Sequence, residues 1–155
     1  MDEYNDYVEN YSYLREKDIK ELITIIKSMI DYDEVVEALL IIKSKNISKA
    51  LELGIEIIEK DKGDEYLQAI VWDYLFFGNE IEMIQAVDNR KKQIGKALLD
   101  DVIVDLTNYK SKIKVSNSFL NKVARSYEGL SDEKKKLMRC NFNEFLEVYS
   151  KELSQ

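Results

Sequence analysis

Apolar residues recur at intervals of three and four along most of the chain, and no stretch keeps the period of two that a half-buried strand needs. Read as amphipathic helices, the pattern divides the chain into short segments. Tyr4, Tyr7, Val8, Tyr11 and Leu14 mark one face of a helix over 2–14, either a cap on the helices that follow or a binding arm. Ile19, Leu22, Ile23, Ile26 and Ile30 predict a second over 15–30. Asp33 is placed to cap a helix over 33–44, and Asn46 to cap one over 46–60 with Ile47, Ala50, Leu51, Gly54 and Ile58 inward. Asp64 opens a helix over 64–77 that is apolar on two sides, with Leu67, Val71, Tyr74 and Leu75 on one and Ala69, Trp72 and Phe76 on the other. A helix of that kind belongs between neighbours, at the centre of the stack. Further stripes predict helices over 80–89 (Ile81, Ile84, Val87) and 92–108 (Ile94, Ala97, Leu98, Val102, Leu106). Past a polar connector at Lys110–Lys114, Ser116 or Asn117 caps a helix to about Tyr127. Ser131 opens the last, over 131–151, on Leu137, Met138, Phe142, Phe145, Leu146 and Tyr149.

A phrase repeats within this pattern. Asp33-Glu34-Val35-Val36-Glu37-Ala38-Leu39 returns as Asp64-Glu65-Tyr66-Leu67-Gln68-Ala69-Ile70, and Gln93-Ile94-Gly95-Lys96-Ala97-Leu98 is a weaker third copy. A period near 30 residues with helix-only patterning predicts stacked antiparallel helix pairs, a short all-α solenoid of about seven to nine helices. The chain reads as one domain: a capping segment over 1–14, helical repeats over 15–108 and a C-terminal helix pair over 109–155.

Composition agrees. The 155 residues contain no proline and five glycines, which suits long helices and tight connections better than a turn-rich β protein. No apolar run approaches the ~20 residues that span a bilayer, and the acidic start Met1-Asp2-Glu3-Tyr4 has no secretory pattern, so a soluble cytoplasmic protein is expected. The net charge of −7 is uneven. Residues 1–89 hold 21 acidic and 9 basic side chains, a balance of −12, while residues 90–155 carry +5. So long an acidic stretch repels nucleic acid and anionic membrane and attracts a cationic partner, or else simply keeps the protein soluble.

The chemistry available is narrow. Without histidine there is no Ser-His-Asp triad, no Cys-His pair and no imidazole metal site. Cys140 stands alone, the glycines form no phosphate-binding loop, and Asp31-Tyr32-Asp33 lacks the rest of a calcium loop, so neither cofactor nor metal is expected. Asp100, Asp101 and Asp105 leave a carboxylate-based enzyme open in principle. The lysines of 110–114 and 134–136 lack interleaved aromatics and read as solvated faces.

The repeat register names a candidate surface. With Ala38, Ala69 and Ala97 aligned, Asp73 and Asp101 fall four positions on, and Phe77 and Asp105 eight. Equivalent positions line up along one face of a stacked repeat. Tyr66, Asp73, Phe77, Asp101 and Asp105 are therefore expected to share a strip where acids beside aromatics bind a basic partner; otherwise the aromatics are core and the aspartates merely solvated. Glu52, Glu56 and Glu59, spaced four and three apart, form a second candidate edge.

The run from Asp64 to Phe77, behind Gly63 and an acidic helix, resembles a segment of small bacterial immunity proteins built from HEAT-like helical repeats, which carry a phrase like Asp-x-Tyr-Leu-Gln-x-x-Ala-Leu at a central helix. Here the alanine follows Gln68 directly, which departs from that phrase. The match is strong over 14 residues and loose over 33–106. The resemblance implies a non-catalytic inhibitor of a toxin domain, as in polymorphic-toxin or contact-dependent growth inhibition systems. The expectation is thus an immunity protein covering the active site or substrate path of a basic nuclease toxin; an adaptor that grips a basic peptide is the alternative.

Overall fold

The computed structural model describes residues 11–154, and the predicted tyrosine-rich helix over 2–14 lies largely outside them. What is described of that segment is a single 3-10 turn, Ser12–Glu16, whose Leu14 is fully buried. Nine α-helices follow: α1 Ile19–Ser28, α2 Tyr32–Lys45, α3 Ile47–Glu59, α4 Glu65–Leu75, α5 Glu80–Asp88, α6 Lys96–Asn108, α7 Asn117–Glu128, α8 Asp132–Val148 and the short α9 Ser150–Leu153. The chain is 75% helical with no strand among the described residues, so the all-α reading holds. Among the described residues no helix is long and apolar enough to cross a membrane.

Side-chain caps set most helix starts. Asp18 and Glu21 form a reciprocal box at α1, Asp18 accepting from the Glu21 N–H at 2.8 Å and Glu21 accepting from the Asp18 N–H at 3.2 Å. Asn46, Asp64, Ser116 and Ser131 cap α3, α4, α7 and α8, each accepting from the third backbone N–H of its helix. The cap of α2 is Asp31 rather than Asp33: its carboxylate takes the N–H groups of Asp33 and Glu34 at 3.0 and 3.2 Å, and Asp33 lies inside the first turn.

Helices α2, α4, α6 and α8 form a row in which each packs on the next. On the other side α1 and α3 pack against α2, α3 also reaches α4 and α5, and α7 packs against α6 and α8. This helical-repeat-like arrangement encloses one buried cluster running from Leu14 to Tyr149. As its two-sided pattern predicts, α4 lies between neighbours, with Leu67, Val71, Trp72, Leu75 and Phe76 all buried. Trp72 stacks on Phe76 with ring centroids 4.6 Å apart.

The departures from the sequence pattern sit at helix ends. Ile30, Ile47 and Ile81 were expected inward but are exposed, because they occupy the link after α1 and the first turns of α3 and α5, where no neighbouring helix covers them. Met83 and Ala86 take the inward places on α5. On α8 the buried line is Met138, Phe142 and Phe145, continued by Tyr149 beyond its end, and Leu137, a third of a turn away from it, is exposed. Helix α6 starts at Lys96, not near residue 92, since Arg90 holds the preceding loop by donating to the Gln93 carbonyl at 2.9 Å. The final helix is interrupted at Tyr149, so residues beyond 109 form three helices instead of a pair.

Gly54 lets α3 pack close against α4. A Cβ there would lie 2.1 Å from Leu75 Cδ1 and 3.2 Å from Val71 Cγ1. Alanine gains up to about 1 kcal/mol in helix propensity over glycine, whereas overpacking a core costs about 1–3 kcal/mol. Because Leu75 and Val71 are fully buried and have little room to yield, the steric term wins. Gly54→Ala is expected to lower stability by about 1 kcal/mol or more in urea unfolding; a stabilised variant would show that the two helices separate freely.

Candidate functional site

Helices α4 and α6 run parallel, one repeat apart. At their N-terminal ends Glu65 accepts the Lys96 backbone N–H at 3.1 Å, and near their C-terminal ends the Trp72 Nε1–H donates to Asp105 Oδ2 at 2.7 Å. Trp72 has no exposed surface, and a buried indole N–H needs a partner. Between these ties the carboxyl groups of Asp73 and Asp101 lie close enough to interact directly. The strip read from the repeat thus brings Asp73, Asp101 and Asp105 together.

Phe77 lies in the turn after α4 with 53% of its surface exposed, so it is not a core residue. Its ring meets Tyr109, just past α6, edge-to-face at 5.2 Å, and Phe76 touches both rings. Lys112 Nζ lies 5.5 Å from the Tyr109 ring centroid, within cation–π range. Tyr66 is also on the surface, at 65% exposed, but it is two helical turns, roughly 10 Å, from Asp73. It lines a separate crevice with Asp31, Tyr32 and Asp33 at the N-terminal ends of α2 and α4. The five predicted positions therefore divide into a cluster of four and an outlying tyrosine.

The cluster's electrostatics are unusual. Burial, then the hydrogen bond and charge of Asp73, then the charges of Asp105 and Asp100, push the Asp101 carboxyl up to about 7. Burial raises Asp73 too, against the opposing pull of its bond to Asp101. Burial raises Asp105, against the stabilising N–H of Trp72. None of the three forms an ion pair with a described lysine or arginine. Asp100 turns to α8 instead and accepts from Asn141 Nδ2 at 3.0 Å. A proton shared by two carboxyl groups can serve acid–base chemistry, but Asp73 stands on the exposed surface. No group of three or more cysteine, aspartate or glutamate side chains among the described residues is arranged to hold a metal ion.

The second edge is differently satisfied. Glu52 pairs with Lys49 at 3.3 Å, and Glu56 with Lys60 and Lys62 at 3.2 and 3.1 Å. The hydrogen bonds from Lys62 and Lys60 hold the Glu56 carboxyl below its usual range. Glu59 accepts from Asn89 Nδ2 at 2.9 Å. These carboxylates already have partners within the fold. Cys140 is exposed on α8.

Residues that periodicity did not reveal complete the picture. Burial, then the charges of Glu37 on α2 and of Asp73, raise the pKa of Tyr74. The glutamate is visible in the repeat as the position before Ala38, but its neighbour across the stack is not. Gln68 and Arg90, both buried, form a polar knot with Asp61. Arg90 donates to the Ile58 carbonyl at 2.7 Å, to Gln68 Oε1 at 3.1 Å and to Asp61 Oδ1 at 3.0 Å, while Gln68 Nε2 donates to Asp61 at 2.9 Å. No protein-family model matches the chain, and no match was found among curated proteins or solved structures.

The raised carboxyls carry a pH signature. Asp101 holds its proton more tightly in the folded state than in the unfolded one, whose pKa is about 4. Its stabilising contribution is therefore complete below about pH 4 and is lost as pH rises through about 7. Glu56 and Asp61, with lowered pKa values, act in the opposite sense and only at lower pH, as their contributions vanish when pH falls through those values. The urea midpoint is expected to fall between about pH 5 and pH 8, and Asp101→Asn to flatten the fall. A wild-type midpoint that rises or stays level over this range would contradict the shared-proton geometry.

Proposed function

We propose that the chain is a non-catalytic protein-binding module that takes a basic protein on the face formed by Asp73, Phe77, Asp101, Asp105 and Tyr109. One observation carries the reading: the Asp73, Asp101 and Asp105 carboxyl groups cluster near the exposed ring of Phe77 and the half-buried ring of Tyr109 and form no ion pair with a described cation, whereas the Glu52 and Glu56 carboxylates are already ion-paired. An arginine or lysine from a partner would supply the missing charge, and Phe77 with Tyr109 would supply apolar contact around it. The acidic balance of residues 1–89 would speed encounter with a cationic partner.

The partner we favour is a toxin domain, with a basic nuclease the leading type, which makes the protein an immunity protein that covers the toxin's active site or substrate path. Support for this more specific role comes from the resemblance over residues 64–77 and from charge, since a surface that binds nucleic acid is basic.

Coexpression with the product of the adjacent gene tests both levels, because immunity and toxin genes neighbour one another. The two proteins are expected to copurify. Asp73→Lys combined with Asp101→Lys should then weaken binding by about 2 kcal/mol or more, roughly 30-fold, with the helical circular dichroism spectrum retained. Added salt should slow association of the wild type more than of the double variant. A double variant that binds as tightly and as fast as wild type would place the interface elsewhere, with the Glu52, Glu56 and Glu59 edge next in line.

A further inference from the structure

The loop between α5 and α6 and the facing side of α7 line an open crevice of about 350 Å³ whose lining is strongly basic despite the chain's negative charge. Arg90, Lys91, Lys92, Lys122 and Arg125 all contribute to it. The carboxylates that answer them are Asp61, paired with Arg90 at 3.0 Å and Lys92 at 3.6 Å, and Asp88, paired with Lys122 at 3.6 Å. Lys122 is further fixed by donating to the backbone carbonyl of Asp88. Lys91 and Arg125 are exposed and form no ion pair with a described residue.

Arg90 is the buried member, its side chain only 1% exposed. Its two terminal nitrogens are fully engaged with Ile58, Gln68, Asp61 and Gln93. The remaining donor, the buried Nε–H, has no acceptor among the described residues. Guanidinium has five donors in a fixed fork, and a buried donor without an acceptor is uncommon in a folded protein. That donor is shielded from the crevice, but the excess of cations that lines it is what a multiply charged oxyanion satisfies: phosphate brings several acceptor oxygens, and the planar fork of the exposed Arg125 can take two of them at once.

We propose that this crevice is a binding site for a phosphate group, with Lys91 and Arg125 as its recruiting rim and Arg90 and Lys122 as its fixed wall. The ligand is inorganic phosphate or a small phosphate monoester. No residue of the site belongs to the acidic face, so it stands or falls separately from the protein-binding reading.

The test is calorimetric titration of the full chain at constant ionic strength with inorganic phosphate, with phosphoserine, and with chloride as control. Saturable binding at one site is expected for phosphate and not for chloride. Lys91→Gln combined with Arg125→Gln changes two exposed side chains that form no ion pair with a described residue, and should weaken binding tenfold or more, on the order expected for losing charge-assisted hydrogen bonds. Lys134→Gln combined with Lys136→Gln, on exposed positions of α8, should leave it unchanged. Tighter binding of phosphoserine than of inorganic phosphate assigns the site to a monoester, and the reverse order assigns it to the free anion. The proposal is overturned if neither ligand saturates, if chloride gives the same response, or if the Lys91 and Arg125 variant binds as tightly as wild type.

Discussion

Much of this structure follows from one constraint: the indole N–H of Trp72 is buried and must be hydrogen-bonded. Its acceptor is Asp105, on the next helix of the row. A buried donor left unpaired costs about 1–3 kcal/mol, so the bond penalises any slide of α4 along α6. Glu65 provides a second tie at the other end of α4, to the Lys96 N–H. With both ends held, the residue after Trp72 and the residue four before Asp105 come together, and these are Asp73 and Asp101. The same packing that stabilises the centre of the fold thereby brings two carboxyl groups together at its surface.

The acidic character of the chain acquires a spatial meaning from this arrangement. Counting charges separates an acidic first half from a basic remainder but gives no pairing. In the fold, Glu52 and Glu56 of α3 are matched by Lys49, Lys60 and Lys62, while Asp73 of α4 faces Asp101 of α6. Basic residues of the second half gather in part at the α5–α6 loop, around the buried Arg90. The chain thus carries two surfaces of opposite sign on different elements, and each lacks part of its counter-charge.

Periodicity made the helical architecture legible. The caps at Asn46, Asp64, Ser116 and Ser131 form as their side chains predict, and the repeated Ala38, Ala69 and Ala97 register correctly places Asp73 near Asp101 and Asp105. What escaped depends on contacts that no local pattern encodes. Asp31 outcompetes Asp33 as a cap because its carboxylate reaches two N–H groups at once. Tyr66 shares the α4 face with Asp73, but the length of two helical turns separates them. The knot of Asp61, Gln68 and Arg90 joins residues 7 to 29 positions apart through bonds that hydrophobic spacing cannot signal.

The central claim, that the α4–α6 register makes Asp73 and Asp101 a single proton-sharing unit, is open to direct measurement. Carbon-13 NMR of the aspartate side-chain carboxyls, followed through a pH titration of the intact protein, reads each group separately. Asp101 is expected to titrate with a midpoint near pH 7 and the Asp73 signal to report the same step, because the two titrate as a coupled pair. Independent titration of both groups near the ordinary aspartate value of about 4 would contradict it.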